Sequence, residues 1–190
     1  MKTMFVLGSP NRSGNTAKVL SWIEDELRAR GHSVESVNVG DGRIAPCVAC
    51  RRCKRTPDKP GCAQDDGTND ILSDMLLADV VVLASPLYCW GISAQLKALI
   101  DRAYCMLKEE GDDYVSLLAG LRLALVVTGG GGVKGNLDLA VPPFRAFAKF
   151  FQCKQAGTLL VPSCTKPDAL GPDVEKRARA FAGKLIKSVV

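Results

Sequence analysis

Apolar positions along this chain change their period repeatedly, and each change marks an element boundary. Residues 4–8 carry a short continuous apolar run, Phe5-Val6-Leu7, the pattern of a strand buried on both faces. Residues 16–30 then place Val19, Leu20, Ile23 and Leu27 at helical spacing, and Gly31 supplies a stop. Val34, Val37 and Val39 alternate imperfectly through 33–39, which reads as a second strand. A helix is predicted over 69–77 and a central strand, Val80-Val81-Val82-Leu83, over 79–84. Residues 93–107 put Leu96, Leu99, Ile100 and Ala103 on one side of a third helix. A strand over 121–127, a helix over 139–151 and a strand over 155–160 follow. The last helix, 173–189, turns Val174, Ala178, Phe181 and Leu185 inward. Five strands and five helices in strict alternation predict an α/β fold with an open, doubly wound parallel sheet. Its right-handed crossovers gather the loops that follow the strands at one carboxyl edge.

One stretch escapes every period. Residues 41–67 form a long irregular insert holding Cys47, Cys50, Cys53 and Cys62, and an insert of that length calls for a functional reason. The remaining chain fits one domain over residues 1–190, long enough to bury a substantial core, with no Pro-, Gly- or Ser-rich linker to divide it. The opening apolar run stops at Gly8, too short for a signal peptide or a membrane span, and the expected location is the cytoplasm. The net charge of +5 is modest. Its densest basic run, Arg51, Arg52, Lys54, Arg55 and Lys59, is interleaved with cysteines rather than aromatics, which argues against a nucleic-acid surface.

Three loops at the predicted carboxyl edge carry candidate chemistry. Gly8-Ser9-Pro10-Asn11-Arg12-Ser13-Gly14-Asn15-Thr16 leads into a helix amino terminus. Its backbone N–H groups, hydroxyls and positive helix end suit a phosphate, with Arg12 able to add a forked contact; the plain alternative is that Ser13 or Asn15 caps the helix. Five residues separate Gly8 from Gly14 and Asn15 follows, so this is not a Walker A loop. The dinucleotide fingerprint is absent here too. Ser85-Pro86-Leu87-Tyr88-Cys89-Trp90-Gly91 brings two aromatics to the same edge, where they suit a flat ring system, core packing of Trp90 being the alternative. Thr128-Gly129-Gly130-Gly131-Gly132 sacrifices stability unless the backbone must bend or touch something flat. A cofactor with a phosphate at one end and a planar ring at the other satisfies all three.

In the insert, Cys47, Cys50 and Cys53 stand at steps of three and Cys62 follows after eight residues. Such a triplet with a fourth ligand suits a cubane iron–sulfur cluster; a zinc site, free thiols or a redox-active pair are the other readings. No acid–base constellation stands out. His32, the single histidine, reads as a surface residue, and Asp65 and Asp66 as caps of the next helix.

GSPNRSGNT, the cysteine insert ending in CAQDD, SPLYCWGISAQLKALIDR and the glycine run together resemble the flavodoxin-like NAD(P)H-dependent FMN reductase family, most of all its iron–sulfur flavoprotein branch. The resemblance covers the chain to about residue 135. It implies a flavodoxin-like, three-layer, doubly wound fold with a five-stranded parallel sheet in the order 2-1-3-4-5. It implies that Ser9, Arg12, Ser13, Asn15 and Thr16 hold the FMN phosphate. Pro86, Leu87, Tyr88, Trp90 and Gly91 would then run along the ribityl chain and flavin ring, with Thr128, Gly129, Gly130 and Gly131 over the pyrimidine side. Cys47, Cys50, Cys53 and Cys62 would ligate a [4Fe–4S] cluster, and the subunits would form a homodimer or homotetramer with the flavin near an interface. Two activities follow: an NAD(P)H-dependent reductase of a quinone, flavin or other small acceptor, or an electron-transfer protein linking a ferredoxin-like partner, the cluster and FMN.

Overall fold

A computed structural model describes residues 1–111, 113–166 and 169–188. Strands β1 (Lys2–Leu7), β2 (Ser33–Asn38), β3 (Val80–Tyr88), β7 (Arg122–Thr128) and β8 (Lys154–Val161) form one parallel sheet in the order β2-β1-β3-β7-β8. Counted as the five long strands, this is the 2-1-3-4-5 order that the family resemblance implies. The helices are α1 (Asn15–Ala29), α2 (Thr68–Leu76), α3 (Ala94–Arg102), α4 (Val141–Phe150) and α5 (Pro172–Lys187).

Period-2 geometry explains why the central strands are apolar throughout. Phe5 and Leu7 of β1, Val80 and Val82 of β3, and Ala124 and Val126 of β7 enter a core shared with α1 and α5. Their neighbours Met4 and Val6, Val81 and Leu83, and Leu123 and Leu125 enter the opposite core, which takes in α2, α3, α4 and the insert. Three layers result.

Strict alternation does not hold. Residues 93–107 are not one helix: α3 ends at Arg102, a 3-10 turn spans Ala103–Met106, and β5 (Leu107–Glu110) pairs antiparallel with β6 (Asp113–Ser116). The charged run Lys108-Glu109-Glu110 conceals this hairpin, because among the described residues β5 and β6 pair only with each other and show no apolar periodicity. β3 also overruns its predicted end at residue 84. Ser85 and Pro86 still pair with Val127 and Thr128, and the strand turns back on itself as β4 (Gly91–Ile92). Helix α4 starts at Val141 rather than 139, with prolines in its first turn, where no N–H is needed. Residue 189, the predicted end of the last helix, lies outside the described residues.

Two contacts bind the loops at the carboxyl edge together. Ser93 caps α3 by accepting from Leu96 N–H at 3.3 Å, and its hydroxyl donates to the Gly8 carbonyl at 2.6 Å. A Cβ on Gly8 would lie 2.5 Å from that of Leu96, so only glycine lets the first loop approach α3.

Candidate functional site

At the carboxyl ends of β1, β3 and β7 lies a cavity of about 340 Å³. Nine of the fourteen residues anticipated for cofactor contact line it: Ser9, Asn15, Thr16, Pro86, Leu87, Tyr88, Thr128, Gly129 and Gly130. Asn11, Gly14, Cys164, Thr165 and Lys166 complete the wall. The last three follow β8, where the sequence offers no motif; only the rule that loops after parallel strands share one edge points to them.

Helix α1 begins against this cavity without a side-chain cap. Gly14 occupies the N-cap position, and the first turn holds no acidic residue. The capping alternative for Ser13 and Asn15 therefore fails. Ser13 instead bonds Asn11 Oδ1 through both its N–H (3.1 Å) and its hydroxyl (3.2 Å). Asn15 reaches across to the loop after β8: its Nδ2 donates to the carbonyls of Cys164 (3.0 Å) and Lys166 (2.9 Å). These two bonds fix the amide orientation and leave Asn15 Oδ1 buried with no partner among the described residues. A buried acceptor without a donor is a standing cost of about 1–3 kcal/mol. Thr16 and Thr128 share one hydroxyl hydrogen bond of 2.7 Å, which ties the start of α1 to the end of β7. Uncapped helix N–H groups suit an anion, while an orphaned carbonyl oxygen suits a hydroxyl donor. A phosphorylated polyol such as the ribityl phosphate of FMN presents both, so the residues present fit that cofactor.

Arg12, Ser13, Trp90, Gly91 and Gly131 do not line this cavity. Arg12 is exposed and ion-paired with Asp41 at 3.3 Å, at the start of the insert. A Cβ on Gly131 would lie 1.7 Å from Asn136 Nδ2, so that glycine answers to the protein's own packing. Trp90 and Gly91 open instead on a neighbouring apolar cavity of about 390 Å³, with Ile92, Ile100, Phe144 and Phe147. Core packing of Trp90 is excluded, since it is 65% exposed. Cys89 and Trp90 are the two turn residues of the β3–β4 hairpin, and both adopt positive φ (47° and 61°). For residues with a Cβ that conformation costs about 1–2 kcal/mol each, strain of a kind that collects at functional loops.

Cys47, Cys50, Cys53 and Cys62 line one small cavity of about 30 Å³, shared with Cys105, Arg102 and Tyr104. Ala49 and Arg51, between the first three cysteines, both adopt positive φ and so coil this segment tightly. Cations on both sides tie the insert to the segment after α3. Lys108, buried in β5, donates to the carbonyls of Lys59 (2.6 Å), Pro60 (3.1 Å) and Cys53 (3.4 Å). Lys54 lies 3.6 Å from the centre of the Tyr104 ring and donates to the Tyr104 carbonyl at 3.0 Å. Arg51 pairs with Glu109.

Arg102, at the end of α3 and 1% exposed, is the centre of this arrangement. It forks onto Asp66, Nη1 to Oδ2 at 2.8 Å and Nη2 to Oδ1 at 3.1 Å, and donates to the carbonyls of Ala45 and Gln64. Its Nε–H donates to Cys62 Sγ at 3.1 Å. Burial disfavours the Asp66 carboxylate. Hydrogen bonds from Arg102, Thr68 and the Ala45 N–H outweigh that and hold it far below the ordinary range. Asp66 thus accepts from Thr68 in the first turn of α2, as a cap would, and also anchors the insert. Arg102 carries a weak sequence signal of its own: a charged residue three positions after Leu99 falls on the apolar side of its helix.

The donor set, four thiols lining one cavity beside cations, has the ligand chemistry of an anionic sulfur-ligated centre. Among the described residues no three potential ligands converge as a single metal ion requires. A four-iron cluster spreads its thiolates over separate irons, so lining a common cavity is the geometry that bears on it. Burial pushes the Cys105 thiol up to about 12, which keeps it protonated and outside such a set.

Residues 1–145 match the family model described as NADPH-dependent FMN reductase. Over 103 residues the chain is 35% identical to an iron–sulfur flavoprotein of Methanocaldococcus jannaschii, covering 54% of this chain and 52% of that protein. It therefore spans about half the length of that relative. Over 172 residues it is 28% identical to an FMN-dependent NADH:quinone oxidoreductase of Yersinia enterocolitica, covering 87% and 82% of the two chains. Its fold is similar to that of an FMN-dependent NADH-azoreductase from Bacillus anthracis in complex with FMN, with a TM-score of 0.71, 17% identity and coverage of 97% and 99%.

Proposed function

The chain belongs to the NADPH-dependent FMN reductase family, and from that premise we propose that it binds FMN in the cavity at the carboxyl edge and works as an NAD(P)H-dependent oxidoreductase. The observation that carries this reading is the pairing of an uncapped α1 amino terminus with the orphaned Asn15 Oδ1 on one cavity. The N–H groups at the start of α1 take the phosphate, with Ser9, Ser13 and Thr16 beside them. Arg12, now on Asp41, swings over to add charge. Asn15 Oδ1 accepts from a ribityl hydroxyl. Pro86, Leu87 and Tyr88 flank the ring from the cavity wall, with Trp90 and Gly91 beside them on the neighbouring cavity, and Thr128, Gly129 and Gly130 border its pyrimidine edge. When bound, FMN supplies a ring that accepts hydride from NAD(P)H and returns electrons to a quinone, flavin or other small acceptor.

Cys47, Cys50, Cys53 and Cys62 hold a [4Fe–4S] cluster in this reading, supported by their common cavity, the surrounding cations and the relatives named iron–sulfur flavoproteins. The cluster would let a ferredoxin-like partner exchange electrons with the flavin site. Tyr88 and Trp90 stand exposed on the hairpin, and Phe150 on α4, which suits a homodimer or homotetramer. Among the described residues no helix is long and apolar enough to cross a membrane, and eight cysteines suit the reducing cytoplasm.

Purification followed by acid release should yield about one FMN per chain, and the loaded protein should oxidise NADH or NADPH when a quinone is added. Release of FAD, or FMN without any nicotinamide oxidation, would overturn the reductase reading.

A further inference from the structure

We propose that Arg102 is a positioning residue for the iron–sulfur site: it fixes Cys62 as the fourth ligand and raises the reduction potential of the cluster. The proposal rests on the reading that the four cysteines hold a cluster.

Cys62 follows the compact triplet after eight residues, a distance at which a loop ligand would ordinarily be slack. It is not slack. Its backbone is tied on both sides to Asn69 of α2: Cys62 N–H donates to Asn69 Oδ1 and Asn69 Nδ2 donates to the Cys62 carbonyl, both at 2.8 Å. Gly61, just before it, has φ +70°, and a Cβ there would lie 2.5 Å from that of Thr56, so the chain must bend tightly back toward the triplet. The thiol itself accepts from Arg102 Nε–H at 3.1 Å. Asp66 and the carbonyls of Ala45 and Gln64 use the other nitrogens of the guanidinium, so it has no alternative orientation. The bonds to Ala45 and Gln64 also draw both ends of the cysteine loop onto α3. A lysine could keep the charge but not this fork.

The electrostatic consequence has a definite sign. A cluster gains negative charge on reduction, and a permanent cation donating to one of its thiolates favours the reduced form. Hydrogen bonds to the sulfurs and local charge are among the factors that set such potentials. Arg102 is buried, so solvent screens it little. Asp66 offsets part of its charge from the far side, away from the Nε–H that meets sulfur.

The test uses the full chain, reconstituted anaerobically with iron and sulfide, as wild type, Arg102→Gln and Arg102→Lys. Iron and sulfide counts, the low-temperature paramagnetic resonance spectrum after reduction and a dye-mediated redox titration are read in each. Circular dichroism and FMN titration report whether the fold and the flavin site survive. Arg102→Gln should lower the midpoint potential and change the resonance spectrum. It should also lose iron to a chelator several-fold faster. Arg102→Lys should restore part of the potential while leaving iron labile, a split that a purely structural role would not produce. An unchanged potential and spectrum in a folded, fully loaded Arg102→Gln protein would overturn the proposal and leave the cluster reading intact. Absence of iron and sulfide from reconstituted wild type would overturn the cluster reading itself, and this proposal with it. If Arg102→Gln fails to fold, Arg102→Lys decides, since an unchanged potential and unchanged iron release there would equally overturn it.

Discussion

Two side chains, Asn15 and Arg102, do the most to define the sites, and each does so through a bond that another residue denies it the freedom to change. Asn15 spends both amide hydrogens on the loop after β8, which is why its oxygen is left for a ligand. Asn15→Ala should therefore weaken FMN by about 1–3 kcal/mol, the worth of the ligand hydrogen bond plus the loosened loop. Titrating FMN into both apo-proteins measures it, and equal affinities would place the ribityl chain elsewhere. Arg102 makes a testable case of Asp66. A carboxylate with a depressed folded-state pKa contributes stability that is whole above its ordinary value near 4 and is lost as pH falls toward the folded value. Asp66→Asn leaves the Arg102 cation buried without its partner, at a cost of about 3–5 kcal/mol near pH 7. Urea unfolding at a series of pH values should show the gap between wild type and Asp66→Asn closing below pH 4. A gap that stays constant down to pH 2.5 would mean that the ion pair does not hold the insert.

At the scale of elements, the hairpin of β3 and β4 shows where local preference is overruled. A two-residue turn with both residues at positive φ favours Asn-Gly, yet this chain places Cys89-Trp90 there. Replacing the pair by Asn-Gly should raise stability by about 1–2 kcal/mol, because strain is relieved and both residues are exposed. FMN affinity or self-association should fall at the same time if Trp90 serves the site. Unchanged affinity and unchanged oligomeric state would mean that the strain serves neither. Nothing in SPLYCWGIS announces a turn, so the sequence shows the loop's chemistry but not its shape. The long strands and helices were legible because burial on two faces leaves continuous apolar runs, and burial on one leaves a stripe. The β5–β6 hairpin was not legible, since charged Lys108, Glu109 and Glu110 read as the end of a helix. Lys108 is nonetheless buried under the insert, its charge absorbed by carbonyls that come from 48 to 55 positions earlier in the chain. Long-range partners of that kind leave no trace in a local pattern.

Across the whole molecule, parallel topology brings distant loops together, and this decides which part of the candidate site could be foreseen. The strands supply their carboxyl ends to one edge, so the loops after β1, β3 and β7 had to meet wherever their motifs were recognised. The loop after β8 meets them too, tied in by Asn15 across 149 and 151 positions, although Cys164-Thr165-Lys166 carries no signature of its own. The insert joins the same edge, because a Cβ on Gly40 would lie 1.9 Å from the Ser9 carbonyl and Asp41 reaches Arg12. A cofactor seated there touches loops from both halves of the chain and should stabilise the fold as a unit. Ligand that binds only the folded state adds about 2.7 kcal/mol at a hundredfold excess over its Kd, and for a chain of this size each kcal/mol moves Tm by about 2–4 °C. FMN at that excess should therefore raise Tm by about 5–10 °C. Riboflavin shares the ring and the ribityl hydroxyls but lacks the phosphate, so at the same concentration it should raise Tm markedly less, and added salt should narrow the difference. Equal shifts from the two flavins would show that the α1 amino terminus holds no phosphate. In that event the uncapped helix end would need another anion, and the assignment of Ser9, Ser13 and Thr16 would fall with it.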